Sequence, residues 1–157
     1  MKHRISAGAL VVHNGKLLLV NHVKQGHYNF WVAPGGGVIG KEALQEAAHR
    51  EVGEETGLDA RVGKLAYVEE TYRPEAGAEA RECKFWFHAE LTSEPQEISV
   101  DAPEAVGEGI VAAAFFTEEE LSAITVPPPF LRAEFWEDLR TGSSEPKYLG
   151  VRKLEFW

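Results

Sequence analysis

Gly36-Gly37-Val38-Ile39-Gly40-Lys41-Glu42-Ala43-Leu44-Gln45-Glu46-Ala47-Ala48-His49-Arg50-Glu51-Val52-Gly53-Glu54-Glu55-Thr56-Gly57-Leu58 is the stretch on which the reading of this chain turns. A glycine run gives way to good helix formers from Glu42 to Thr56, and Gly57 stands where a helix would stop. Leu44, Ala47, Ala48 and Val52 recur at helical spacing, so the pattern predicts an amphipathic helix over 42–56. No Ser, Thr, Asp or Asn lies between Gly35 and Glu42, which leaves Gly40 as the N-cap candidate.

The stripe of this helix changes chemistry along its length. At about 100° per residue, Leu44, Ala47, Glu51 and Glu55 share a narrow arc with Glu54 beside it. Carboxylates on a core-facing row, if unpaired, are driven to protonate. Glu51, Glu54 and Glu55 stand at i, i+3 and i+4, so a divalent cation could gather their hard oxygen ligands, magnesium first and manganese in its place. The plain alternative is a solvated acidic face, and three glutamates alone do not decide between the two.

The surrounding frame does decide. Gly36, five residues, Glu42, seven residues and then Arg50-Glu51-Val52-Gly53-Glu54-Glu55-Thr56-Gly57-Leu58 resembles the Nudix box, G-x(5)-E-x(7)-R-E-U-x-E-E-x-G-U with U bulky and apolar. All nine specified positions match. The box covers 36–58, and a weaker likeness continues upstream through Trp31-Val32-Ala33-Pro34-Gly35.

The resemblance implies a mixed α and β fold, the Nudix fold, in which a mixed β-sheet lies between helices and a loop–helix–loop holds the box beside a pyrophosphate. It implies a divalent-metal-dependent hydrolase of a diphosphate linkage in a nucleoside diphosphate derivative. ADP-ribose, a nucleotide sugar, a dinucleoside polyphosphate and a nucleoside triphosphate all fit. Glu51, Glu54 and Glu55 then become metal ligands, joined by the main-chain carbonyl of Gly35, with Mg2+ or Mn2+ as the cation. Arg50 is expected to orient the carboxylates by salt bridges, and Gly36, Gly37 and Glu42 to hold the loop against the helix. A further carboxylate is expected from a later loop. Glu97, Glu104 and Glu108 are the candidates, and Glu108 is preferred because it stands just before the apolar run 110–116. Glu51 and Glu108 both remain open as the general base. A homodimer is compatible with the resemblance.

Outward from the box, Ile5–Val12 and Lys16–Val23 flank Asn14-Gly15, a hairpin signal. Phe30–Val32 reads as a short strand ended by the glycine run. Arg61–Thr71 and Arg81–Leu91 read as a hairpin whose loop, Arg73–Ala78, contains Pro74 and Gly77. Ser93–Gly109 reads as a long loop, Ile110–Phe116 as a strand, Glu118–Ile124 as a short helix, Phe130–Arg140 as a helix striped by Leu131, Phe135 and Leu139, and Tyr148–Phe156 as a closing strand.

Composition sets the outer bounds. The length of 157 residues suits one domain, 1–157, and 44% hydrophobic with 26% charged residues is ordinary globular composition. No apolar run approaches the roughly 20 residues that span a bilayer. The N-terminal run lacks the small-residue cleavage site of a signal peptide, and a lone Cys83 forms no internal disulfide, so a cytoplasmic protein is expected. A net charge of −9 repels nucleic acid polymers, so a small-molecule substrate with no membrane or polymer partner is expected. Tyr28, Phe30, Trp31, Tyr72, Trp86 and Trp157 are candidates for stacking on a base, each more often a core residue. The six histidines show no zinc-type spacing and read as surface or loop residues, and Cys83 reads as packing.

Some features depart from the family pattern. Ile39-Gly40-Lys41-Glu42-Ala43 replaces the usual wording at the helix entrance, and Arg73 stands, with Pro74 next to it, where ADP-ribose-type members carry a proline. Two rivals share the fold. One is a catalytically silent nucleotide-binding or regulatory module, against which the intact box speaks. The other is an isopentenyl diphosphate isomerase, which is built around a cysteine upstream of the box, whereas Cys83 lies downstream.

Overall fold

Alternation along the N-terminal strands determines how the layers form in the computed structural model, which describes residues 1–75 and 78–154. The chain runs through β1 (Lys2–His13), β2 (Lys16–Lys24), β3 (Tyr28–Val32), β4 (Gly35–Gly37), α1 (Leu44–Thr56), β5 (Ala60–Glu75) and β6 (Ala78–Leu91). It continues through α2 (Pro103–Gly107), β7 (Ile110–Phe116), α3 (Glu134–Thr141) and β8 (Lys147–Lys153), with 3₁₀ turns at Glu119–Ala123 and Pro129–Leu131. Ala7, Ala9 and Val11 of β1, with Leu18 of β2, join the core that holds Ala47, Ala48 and Val52 of α1. Leu10, Leu17 and Leu19 join the opposite core, with Leu131, Phe135 and Trp136. A period of two in β1 and β2 thus feeds two apolar layers, and the sheet lies between helices as expected.

The sheet is mixed, in the order β3-β2-β1-β6-β5-β8, with β4 added to β1 and β7 to β2. β1 and β6 run parallel, with Ser6 opposite Lys84 and Gly8 opposite Trp86. The Asn14-Gly15 turn joins β1 to β2 with both residues at positive φ, as a tight hairpin requires. Between Asn21 and His22 the pairing to β7 slips. Asn21 faces Ala112 and His22 faces Ile110, so Val111 is the extra residue of a β-bulge.

Several sequence expectations need correction. The Gly35–Gly37 run is a strand, pairing antiparallel with Ser6, Ala7 and Gly8; without side chains it gives no hydrophobic signal. α1 begins at Leu44, with Ala43 rather than Gly40 as its N-cap. Gly40 instead adopts positive φ in the turn before it. Glu46 makes one half of a capping box, accepting the Ala43 N–H at 2.6 Å, and Glu42 ties the preceding turn by accepting the Ile39 N–H at 2.7 Å. Gly57 ends the helix at φ 71°.

The 93–109 loop contains α2, started by Pro103 in the first turn. β5 and β6 extend past the expected loop bounds through Pro74 and Ala78, while Gly77 lies outside the described residues. The 130–140 helix is split into the 3₁₀ turn at Pro129–Leu131 and α3. Leu131 and Phe135 are buried, but Leu139 is exposed. The closing strand is β8, ending at Lys153, and Phe156 lies outside the described residues. Among the described residues no helix is long and apolar enough to cross a membrane.

Leu10 is fully buried in the layer beneath α3. Leu10→Ala is expected to lower the unfolding free energy by about 3 kcal/mol in a urea titration, with secondary structure retained. A loss below about 1 kcal/mol would contradict its place in a close-packed layer.

Candidate active site

One guanidinium organises the box. Arg50 donates from Nε and Nη2 to both oxygens of Glu42 at 3.0 and 2.7 Å, and from Nη2 to the Gly37 carbonyl at 3.0 Å. Its Nη1 donates to Glu51 Oε1 at 2.9 Å and Glu54 Oε2 at 3.0 Å. The planar fork therefore ties the helix entrance, β4 and two box carboxylates together, which a lysine could not do in one geometry. Glu42 is held below the usual carboxylate range, chiefly by Arg50 and then by the Ile39 N–H.

The three box glutamates do not share one environment. Glu51 and Glu54 lean on Arg50, whereas Glu55 is 1% exposed and turns toward the sheet, its Oε2 accepting the Gly35 N–H at 3.2 Å. One carboxylate oxygen of Glu55, one of Glu108 and a ring nitrogen of His22 all lie within 4.8 Å of one another. Burial, then the charges of Glu51 and Glu108, push the Glu55 carboxyl well above its ordinary value, against the opposing pull of Lys84 and the Gly35 N–H. Burial also raises Glu51, although Arg50 counters it. Gly36 permits this packing, since a Cβ there would sit 2.4 Å from Glu51 Oε1.

Of the later carboxylates only Glu108, between α2 and β7, reaches this cluster, while Glu97 and Glu104 are exposed elsewhere. His22 is the residue the sequence reading missed. It lies in β2 rather than in a loop, stacked on Phe30 with ring centroids 5.2 Å apart. Burial lowers its pKa, partly offset by the main-chain carbonyl of Glu108. A histidine followed two residues before a loop by Lys24-Gln25-Gly26 carries no spacing signal, because its neighbours in space are remote in sequence.

Beside the carboxylates opens a cavity of about 410 Å³, its wall shared by Gly35, Gly36, His22 and Glu108. Tyr28, Phe30 and Trp86 of the expected stacking residues line it. Trp31 instead packs edge-on against Phe116 at 4.8 Å, Tyr72 is not on the lining, and Trp157 lies outside the described residues. Trp86 is locked by donating Nε1 to Glu69 Oε1 at 3.1 Å, and the Lys84 ammonium sits 4.4 Å from its ring centroid. Arg4 and Arg152 add positive charge to the wall, facing Glu82 at 3.8 Å and Glu69 at 3.5 Å. Cys83, on β6, has its thiol pKa raised by burial, which disfavours a nucleophilic role.

Comparison with known proteins agrees with this arrangement. The sequence profile of the NUDIX domain matches residues 2–136. The RNA pyrophosphohydrolase of Bartonella henselae is 33% identical over 156 residues, spanning 90% of this chain and 79% of that protein. A crystal structure of a Nudix hydrolase from Nitrosomonas europaea superposes with a TM-score of 0.74 at 18% identity, over 98% of this chain and 81% of that one. A second Nudix hydrolase structure from Nitrosomonas europaea gives a TM-score of 0.68 at 25% identity, over 92% of this chain and 93% of the other. The chain therefore belongs to the Nudix family, whose hydrolases act on pyrophosphate bonds.

The raised Glu55 carboxyl has a consequence for stability. A carboxyl whose folded pKa lies above its unfolded value makes the native state bind more protons, so stability falls as pH rises from about the ordinary value of 4.5 through the folded pKa. In metal-free protein, Glu55→Gln is expected to remove that decline and to raise the melting temperature at pH 7.5 by several degrees. Thermal melts from pH 4.5 to 8 test this; parallel curves for the two proteins would contradict it.

Proposed function

We propose that residues 1–157 act as a cytoplasmic, magnesium-dependent hydrolase that cleaves a diphosphate linkage in a nucleoside diphosphate derivative, with manganese able to replace magnesium. The observation that carries this reading is the buried Glu55 carboxylate beside Glu108 at the wall of a cavity lined by both cations and aromatic rings. Among the described residues Glu55 Oε1 has no hydrogen-bond partner, the condition of an oxygen reserved for a cation. The oxygen-rich donor set, Glu51, Glu54, Glu55 and the Gly35 carbonyl, fits a hard divalent ion.

Such an ion supplies positive charge that neutralises diphosphate oxygens and makes a water easier to deprotonate. The protein's own residues do the rest. Arg50 fixes the carboxylates of Glu51 and Glu54 so that they need not reorganise during reaction. Glu42, Gly36 and Gly37 hold the loop at the helix entrance. Glu51 and Glu108 are the two candidates to accept the proton of an attacking water, and burial of Glu51 raises its basicity, against the pull of Arg50. Lys84 reaches the substrate phosphates from the sheet, and Tyr28, Phe30 and Trp86 offer apolar faces to a base. The local cations overcome the repulsion that a net charge of −9 would otherwise exert on an anionic substrate.

Product analysis by chromatography, with magnesium and with chelator, tests the assignment across ADP-ribose, nucleotide sugars, dinucleoside polyphosphates and nucleoside triphosphates. A 5′-triphosphate RNA belongs in the same panel, because it carries the same linkage and the Bartonella henselae relative is named for acting on RNA. Chelator-sensitive cleavage of a diphosphate bond is the expected result, and inertness throughout would overturn the hydrolase reading. Glu55→Gln should lower kcat/KM by at least about a hundredfold. Lys84→Met should raise KM by about tenfold with a smaller change in kcat.

A further inference from the structure

The environment of Glu55 holds a donor that an all-oxygen magnesium site does not require. The imidazole of His22 stands with Glu55 and Glu108, one ligand atom of each within 4.8 Å of the others. Glu51 and Glu54 are not members of this trio, and each gives an oxygen to Arg50. Glu55 Oε2 is occupied by the Gly35 N–H at 3.2 Å, while Oε1 has no partner among the described residues and the side chain is 1% exposed. A buried carboxylate oxygen left unpaired beside a second carboxylate and an imidazole is in surroundings that favour a cation.

The position of His22 is fixed by several features. The ring stacks on Phe30 at an interplanar angle of 13°. The Glu108 backbone acts on the ring against the effect of burial, and an imidazole has two nitrogens, so one can serve a neighbouring carbonyl while the other serves a metal, in the usual pattern of ligating histidines. The bulge at Val111 brings the start of β7 alongside His22, and the Val23 N–H donates to the Gly109 carbonyl at 3.0 Å, so Glu108 is delivered by backbone pairing.

The geometry points to a cation position of mixed nitrogen and oxygen donors formed by His22, Glu55 and Glu108, sharing Glu55 with the box carboxylates and preferring Mn2+, Co2+ or Zn2+ to Mg2+. Magnesium selects oxygen ligands and near-ideal octahedral geometry, whereas an imidazole adds affinity for the later first-row ions. This inference rests on the metal-dependent hydrolase reading above and adds an unlike ligand to it. The consequence is a protein whose response to metals differs from that of a site built of carboxylates alone.

The test uses the full chain without a histidine tag, stripped of metal and loaded with substoichiometric Mn2+, read by electron spin-echo spectroscopy. Wild-type protein should show modulation from a directly bound nitrogen-14, and His22→Gln should lose it. Calorimetric titration should show Co2+ affinity falling at least about tenfold in His22→Gln while Mg2+ affinity changes by less than about twofold. Wild-type protein carrying nitrogen-15 histidine provides a measurement that needs no variant, since the modulation must change with the isotope. Nitrogen modulation absent from wild type, unaltered by nitrogen-15 histidine or retained in folded His22→Gln would overturn the role of His22, as would equal losses of Co2+ and Mg2+. Mn2+ binding abolished by Glu55→Gln but without a nitrogen signal in wild type would remove His22 and leave the hydrolase reading intact. No metal binding at all would remove both.

Discussion

A carboxylate deprived of water is the constraint around which this molecule is arranged. Glu55 lies almost wholly inside the protein, faced by two further carboxylate charges and relieved by Lys84 and one backbone N–H. Isolated, such a group would protonate or pull the helix outward. It is held in place by apolar neighbours on the same helix, Ala47, Ala48 and Val52, which dock on Ala7, Ala9 and Val11. Burial of the helix face thus sustains an electrostatically unfavourable end. A folded state that tolerates this cost at an active site gives up stability for a site ready to receive positive charge.

Arg50 separates the box into two electrostatic compartments. It absorbs charge from Glu42, Glu51 and Glu54 within one planar network, and the network also anchors the strand Gly35–Gly37 through the Gly37 carbonyl. Glu55 receives no contact from it. Four acidic side chains, Glu42 ahead of the helix and Glu51, Glu54 and Glu55 on it, therefore divide into three that share one guanidinium and fix shape and one that is held without it. Both depend on β1, whose residues Ser6 to Gly8 pair on one edge with the glycine strand and on the other with the β6 segment that carries Lys84 and Trp86.

What was legible in the sequence follows the range of the interactions involved. The box helix, its apolar stripe, Arg50 and its carboxylate partners lie within a few turns of one another, so spacing alone exposes them. The strand 110–116 and the first hairpin are clear for the same reason, since an unbroken apolar run and Asn14-Gly15 define them. Gly35–Gly37 escaped as a strand because backbone pairing to β1 forms it without any side-chain signature. α2 escaped because five residues opened by a proline look like loop, although Ala105 is buried against Val20 and Ile110. His22 escaped because its relation to Glu55 and Glu108 exists only after β2, α1 and β7 have come together, and no motif written along the chain can state it.

The bulge at Val111 also sets how this region can change. Glu108 lies between Gly107 and Gly109, so sliding the segment by one residue in either direction would put a glycine where Glu108 now stands beside His22 and Glu55. Gly109 is constrained as well, since it adopts φ 74° and a Cβ there would meet the Val23 carbonyl at 2.9 Å, and a single insertion or deletion erases the carboxylate without altering its codon. The segment looks like an ordinary surface connection, yet its length is part of the site's chemical identity. In this protein the count of residues itself determines which side chain stands beside His22 and Glu55.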